Sequence, residues 1–180
     1  MKKIFITGER GIGKSTLLKK IIKNVDCSIG GFIQEKEFMG ESKRFKVNSL
    51  YNLEESYTIG VYDAEKRELH SDMNMFNIIS QDILLKSLDN RELIVLDELG
   101  FMEEKAPLFK ETVFKILNSD KAVIGVLKEC DGNFVQKIAK REDVQVFKID
   151  ENNRDSIEYK VLQMLQNNNV RLKEKFMVES

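Results

Sequence analysis

The chain has 180 residues, 42% hydrophobic and 33% charged, with 29 Lys+Arg against 30 Asp+Glu and a formal net charge of −1. One domain of that length can bury a sizeable core, which excludes wholesale disorder. The charge balance excludes a strongly basic nucleic-acid binder and a polyacidic tail protein, and 10 Gly with 1 Pro exclude collagen-like and Pro-rich classes.

Ile4 to Thr7 is a short β-branched apolar run, the pattern of a strand buried on both faces. After Met1-Lys2-Lys3 it resembles the start of a signal peptide, but it stops at Thr7-Gly8-Glu9-Arg10, too soon for a secretory h-region. A Gly-rich turn follows, then a helical stripe of Leu17, Leu18, Ile21, Ile22 and Val25, with Lys19, Lys20 and Lys23 on the solvent side. Residues 28–72 read as an antiparallel β insertion. It contains a strand from Ser28 to Gln34 broken at Gly30-Gly31, strands at Arg44–Leu50 and Tyr57–Tyr62, and a turn at Asp63–Lys66 leading back through Arg67 to His70.

Phe76, Ile79, Ile83 and Leu88 mark the next helix, and Leu93–Leu96 is the clearest buried strand. A helix over 106–118 places Phe109, Val113, Ile116 and Leu117 on one face. Ala122–Leu127 is a strand, Phe134, Val135 and Ile138 belong to a helix, and Val144–Ile149 is a strand. Asp155-Ser156-Ile157-Glu158 reads as a capping box opening a last helix with Ile157, Val161, Leu162 and Leu165 inward. The tail, 169–180, is polar and reads as helical or frayed. Strands alternating with helices outside the insertion predict an α/β domain over 1–180, with a mainly parallel sheet covered on both faces.

Gly8-Glu9-Arg10-Gly11-Ile12-Gly13-Lys14-Ser15 fits the P-loop pattern GxxxxGK[ST], followed by Thr16. Glycines let backbone N–H groups converge on one concavity, and the helix N-terminus adds its positive end. Lys14 is then expected at the β- and γ-phosphates of a nucleoside triphosphate, Ser15 on Mg²⁺ and Thr16 at the α-phosphate. A glycine turn that merely precedes a helix is the bland alternative; the strand and helix on either side favour the phosphate reading. Asp97-Glu98 at the end of the Leu93–Leu96 strand fits a Walker B arrangement, with Asp97 holding Mg²⁺ and Glu98 as general base toward water.

Such a glutamate favours the additional-strand group of P-loop enzymes, and the stretch between Lys14 and Asp97 is long enough to hold that strand. A cation on the phosphates is expected from Arg154, Arg141 or Arg10, although a solvated surface role suits any one of them. His70 is the sole histidine and reads as an insertion-surface residue, so a zinc site and Ser-His catalysis lack their ligands. Cys27 and Cys130, outside any CxxC pattern, read as reduced thiols of a cytoplasmic protein. No run approaches the ~18 apolar residues of a membrane span.

Gly8 to Thr16, Gly30-Gly31-Phe32, Asp97-Glu98-Leu99-Gly100-Phe101-Met102-Glu103 and Asn153-Arg154-Asp155 occur in the order found in the small nucleoside-triphosphatases of the THEP type. Phe109 and Arg141-Glu142-Asp143-Val144 also fit, and the resemblance runs from about residue 3 to 160. It implies a RecA-like P-loop fold with an inserted β-ribbon. It further implies slow, Mg²⁺-dependent hydrolysis of NTP to NDP and phosphate with broad base tolerance. On this resemblance Lys14, Ser15, Asp97 and Glu98 take the phosphate, metal and base positions. Arg154 takes that of a late arginine near the nucleotide, and Gly100 with Met102-Glu103 shapes the loop beside the γ-phosphate.

The chain departs from the family at Glu41–Phe45, at Leu69–Asp72, and at Leu127-Lys128, where relatives commonly have a histidine. A nucleotide or small-molecule kinase and an NTP-dependent switch are the alternatives. The residues name neither the preferred base nor the oligomeric state, and no strong nucleic-acid binding is expected.

Overall fold

The structure, a computed structural model, describes residues 1–174. Its strands form one eight-stranded sheet in the order β5-β4-β3-β2-β6-β7-β1-β8. The parallel part comprises β1 (Lys3–Thr7), β2 (Ile29–Met39), β6 (Leu93–Leu99), β7 (Ala122–Leu127) and β8 (Val144–Lys148). The antiparallel part adds β3 (Ser42–Ser49), β4 (Ser56–Asp63) and β5 (Glu68–Ser71) to the free side of β2.

Strand alternation divides the core in two. Ile4, Ile6, Leu93 and Val95 face α1 (Lys14–Ile22) and α6 (Arg154–Asn167). Phe5, Phe32, Ile94 and Leu96 face the other layer, which contains α2 (Met73–Ile78), α3 (Lys86–Asn90), α4 (Pro107–Leu117) and α5 (Asn133–Ala139). Phe109 is the hub of that layer. Its ring centroid lies 5.3 Å from Phe76, edge-on, and 6.0 Å from Phe32.

Several expectations are corrected. Gly30-Gly31 does not break β2, which runs on to Met39. Its first half pairs with β6 and its whole outer length, from Phe32, with β3, so the ribbon continues the main sheet. Gly31 has φ +84°, and a Cβ there would collide with the Val95 carbonyl oxygen across the β2–β6 pair. The strand therefore stays unbroken by using glycine for close backbone approach. The additional strand is β7, which pairs with both β1 and β6. It follows Asp97 in the chain rather than lying between Lys14 and Asp97.

The helix through Phe76 and Ile83 has a π-helical middle, Ile79–Leu85. Ser87 bonds back to the Ile83 carbonyl at 2.6 Å and accepts the buried Gly31 N–H at 2.8 Å, tying this layer to β2. The capping box is absent. α6 begins two residues earlier, at Arg154, with Asn153 as N-cap. The Asn153 side chain accepts from Asp150 N–H and donates to the Lys148 carbonyl, bracing the preceding turn instead of the helix end. The early tail is neither helical nor frayed. Val170 and Leu172 are buried, and Leu172 bridges Val25. The remainder of the tail, 175–180, lies outside the described residues.

Gly31→Ala should cost about 2–5 kcal/mol, the sum of a left-handed backbone penalty and overpacking against β6. Urea unfolding of the two proteins measures it, and a difference under about 1 kcal/mol would contradict the close approach.

Candidate functional site

β1 ends at Thr7 and the chain turns through Gly8–Gly13 into α1, as the P-loop pattern requires. Gly13, at φ +98°, is the residue before the helix, and the loop wraps the carboxyl end of the sheet. Lys14 is only 8% exposed, and its Nζ donates to the carbonyls of Gly8 at 2.7 Å and Glu9 at 2.8 Å. The lysine thus spans the loop from within.

β6 brings Asp97 to the same place. Ser15 Oγ donates to Asp97 Oδ1 at 3.0 Å. Asp97 is fully buried, and its Oδ2 has no hydrogen-bond partner among the described residues. Burial pushes its carboxyl up to about 7. The Ser15 hydroxyl opposes that shift, and the Glu98 charge adds to it. A buried carboxylate oxygen with no partner, beside a hydroxyl, is the donor set of a hard divalent cation.

Glu98 is half-buried and lines an open cavity of about 760 Å³ with Gly8, Arg10, Gly11, Gly13, Lys14, Ser15 and Thr16. Ile12 packs its side chain against the α1 side of the core, and Glu9 contributes its backbone to Lys14 and to Ile12 N–H. All four residues expected at the phosphates and metal, Lys14, Ser15, Asp97 and Glu98, are therefore together.

The arginines part company. Arg154 does not line this cavity. Its guanidinium lies against Gly13, and it lines a neighbouring recess of about 260 Å³ with Thr16, Leu17 and Asn152. Gly13 and Thr16 belong to both spaces. Arg141 is remote and locked to Asp143 by bonds of 2.8 and 2.7 Å. Arg10 is exposed and lines the large cavity. His70 stands on the ribbon surface 3.4 Å from Glu68.

Lys36, Lys43, Phe45, Tyr62 and Leu69 of the 28–72 insertion line the large cavity with Phe101; a kinase would use that insertion to line its acceptor pocket, but the sequence does not single out these residues. Period-two alternation along β2 and β3 was the available signal, but the strand bounds were too short to apply it. Lys128, the departure from the family pattern after β7, also belongs to the site. It lies half-buried on the cavity wall, its Nζ 4.2 Å from the Phe101 ring centroid. Burial holds its pKa below the usual lysine value, while the Glu98 charge opposes that shift.

The loop after β6 is closed by Glu103, whose carboxylate accepts the Gly100 N–H at 2.9 Å. Glu103 is nearly fully buried, and burial raises its carboxyl to about 7.

A glycine loop between a central parallel strand and a helix, facing an acidic residue at the end of a nearby strand, defines a P-loop nucleotide-binding protein of the α/β class. Its family follows from sequence: the NTPase family matches residues 3–162, and the chain belongs to it. It is 34% identical over 176 residues to the nucleoside-triphosphatase THEP1 of Thermotoga maritima, covering 92% of this chain and 97% of that one. It is 31% identical over 167 residues to the THEP1 of Methanocaldococcus jannaschii, covering 89% and 95%. The fold is shared with the crystal structure of Aquifex aeolicus THEP1, at TM-score 0.73 and 24% identity over 92% of this chain and 99% of that one. A human cancer-related nucleoside triphosphatase gives TM-score 0.69 at 22% identity over 93% and 98%.

Glu103 generates a pH signature. Its carboxyl titrates near 4.5 when unfolded and near 7 when folded, so the native state alone holds the proton between those values. Stability should fall as pH rises through that window and level off above it. Glu103→Gln removes the titration. The thermal midpoint of the variant relative to the parent should therefore rise from pH 5 to pH 8; a constant difference would contradict the buried carboxyl.

Proposed function

We propose that this chain is a Mg²⁺-dependent nucleoside-triphosphate phosphohydrolase that converts NTP to NDP and phosphate. The observation that carries this reading is the 3.0 Å contact between Ser15 and Asp97, with Asp97 Oδ2 buried and unpartnered and Glu98 the next residue. Ser15 and Asp97 would hold Mg²⁺, and the ion, when bound, supplies charge neutralisation on the β- and γ-phosphate oxygens.

The residues fall into an order along the substrate. Backbone N–H groups of Gly11–Ser15 would take the β-phosphate in the loop. Lys14 would exchange its carbonyl partners for β- and γ-oxygens, and Thr16 would face the α-phosphate. Gly13, Thr16 and Arg154 lie together, and in this reading the sugar and base would lie on that side. Glu98 and Lys128 both line the large cavity, where the γ-phosphate would lie. Glu98 would accept a proton from water as its oxygen attacks the γ-phosphorus. Lys128, on the same wall, would offset charge gathering on the phosphoryl oxygens.

Arg154 thus belongs to the nucleoside end of the substrate in this reading. Slow turnover accords with lysines alone, and no arginine buried in the site, serving the γ-phosphate. Broad base tolerance accords with the small size of the Arg154 recess, about 260 Å³.

No helix among the described residues is long and apolar enough to cross a membrane. A cytoplasmic location is part of the proposal, in keeping with Cys27 and Cys130 as free thiols.

Glu98→Gln should lower the rate of phosphate release by ~10²–10⁴ while triphosphate affinity is kept. Unchanged turnover would remove Glu98 from the base role. Lys14→Ala should abolish tight triphosphate binding in calorimetry, and unaltered affinity would refute the P-loop assignment. Both are measured with Mg²⁺ and no added acceptor or partner, conditions under which an obligate kinase releases no phosphate.

A further inference from the structure

The two faces of the ribbon carry different charge arrangements. On one face the charges are neutralised. Glu37 is met from β3 by Arg44 at 3.1 Å and Lys46 at 3.3 Å, and Glu35 is met from α1 by Lys19 at 2.8 Å. On the other, Lys36 pairs across the ladder with Phe45, Lys43 with Tyr62, and Tyr62 with Leu69. Among the described residues neither Lys36 nor Lys43 has a carboxylate within salt-bridge distance, although acidic residues abound on the same strands. This second face lines the large cavity, opposite the P-loop.

A single triphosphate does not use this region. With the nucleoside end at Gly13, Thr16 and Arg154 and the γ-phosphate at Glu98 and Lys128, the substrate would run toward the ribbon and stop short of Lys43, Tyr62 and Leu69. Lys36 stands nearest that end, since its charge reaches both Asp97 and Lys128. The ribbon's lysines and rings face the same open space but are left without a substrate group. Lys43 Nζ sits 5.8 Å from the Tyr62 ring centroid and 5.7 Å from that of Phe38, so cation and rings share one small area. Lys36 lines the same cavity, and its charge adds to the burial that lowers the Lys128 pKa, against Glu98. Unpaired ammonium groups bind phosphate, and aromatic and aliphatic side chains on a cavity wall, here the partly buried Tyr62 and Leu69 beside the buried Phe45, bind a planar ring.

We propose that the ribbon half of the cavity is a subsite for a second small molecule, a phosphate monoester carried on a planar ring, of the nucleoside monophosphate class. Lys43 and Lys36 take the phosphate, and Tyr62, Phe45 and Leu69 take the ring. The proposal rests on the triphosphate placement given above. It adds a ternary complex in which the monoester lies on the γ-phosphate side.

A two-stage calorimetric titration of the full chain separates the two claims. In the first stage the β,γ-imido analogue of ATP is added with Mg²⁺; failure to bind there refutes the P-loop placement. In the second stage AMP, GMP, CMP and UMP are added in turn to the saturated protein. At least one should bind, one per chain, without displacing the analogue. Lys43→Gln and Tyr62→Leu should each weaken the second stage by about tenfold or more while leaving first-stage affinity within about twofold.

Tyr62→Phe, which keeps the ring, should retain second-stage affinity. The subsite is overturned if none of the four monophosphates binds the saturated protein at ~5 mM. It is also overturned if they displace the analogue, or if the variants weaken both stages equally. Equal binding of inorganic phosphate, indifferent to Tyr62→Leu, would overturn the ring-bearing ligand.

Discussion

The hydrogen bond from Ser15 to Asp97 is the constraint around which this protein is arranged. It joins the first turn of α1 to the end of β6, two elements separated in the sheet by β7. A short serine side chain can reach across only if the three strands are in tight parallel register. The chain achieves this with Gly125 on β7. A Cβ there would strike Phe5 on β1 and approach the Leu96 carbonyl on β6. The same contact fixes the electrostatics. It satisfies one oxygen of a fully buried carboxylate and leaves the other unsatisfied, which is costly in a protein interior unless a cation completes it.

A second constraint acts on β2. To continue beyond the parallel core and carry the ribbon, this strand must lie closely on β6 without a bend. Gly31 permits the approach, and Ser87 takes the N–H that the unusual backbone conformation turns away from the ladder. The ribbon is consequently a rigid extension of the sheet bearing the site. One face carries ion pairs, among themselves and with Lys19 of α1, while the other brings cations and rings to the cavity that the P-loop lines. The near-neutral composition hides this sorting, because paired and unpaired charges count alike in a sum.

What could be read from the amino acids was what local chemistry dictates. Leu93–Leu96, Ile4–Thr7 and Ala122–Leu127 are apolar on both faces, and a strand buried between two helical layers permits little else. The P-loop is contiguous, so its spacing declares it. Asp97 and Glu98 are legible because they terminate such a strand.

What escaped was decided at a distance. Gly30-Gly31 resembles a break until Val95 is seen behind it. Asp155 resembles an N-cap because the Asn153 side chain, which could have capped the helix, is engaged by Asp150 and Lys148 instead. The π-helical stretch has no signature in the apolar periodicity, since Ile79, Ile83 and Leu84 suit either winding. The identity of the additional strand depends on pairing order, which a linear gap does not encode.

Lys128 shows how a departure from a family pattern can be read physically. A histidine at that position would offer a group titrating near neutrality beside Glu98. A lysine offers a longer arm, with a pKa that burial lowers and the Glu98 charge raises. The Phe101 ring takes part of the cost of burying it, because the ammonium lies over the ring at cation–π distance. Gly100 makes the arrangement possible, for a side chain there would press on the Lys128 stem. Glu103 in turn holds Gly100 by its N–H. Gly100, Phe101 and Glu103 thus form a chain of contacts that ends on one ammonium group facing Glu98. The acidic-glycine-aromatic segment after β6 is accounted for as the mounting of that charge.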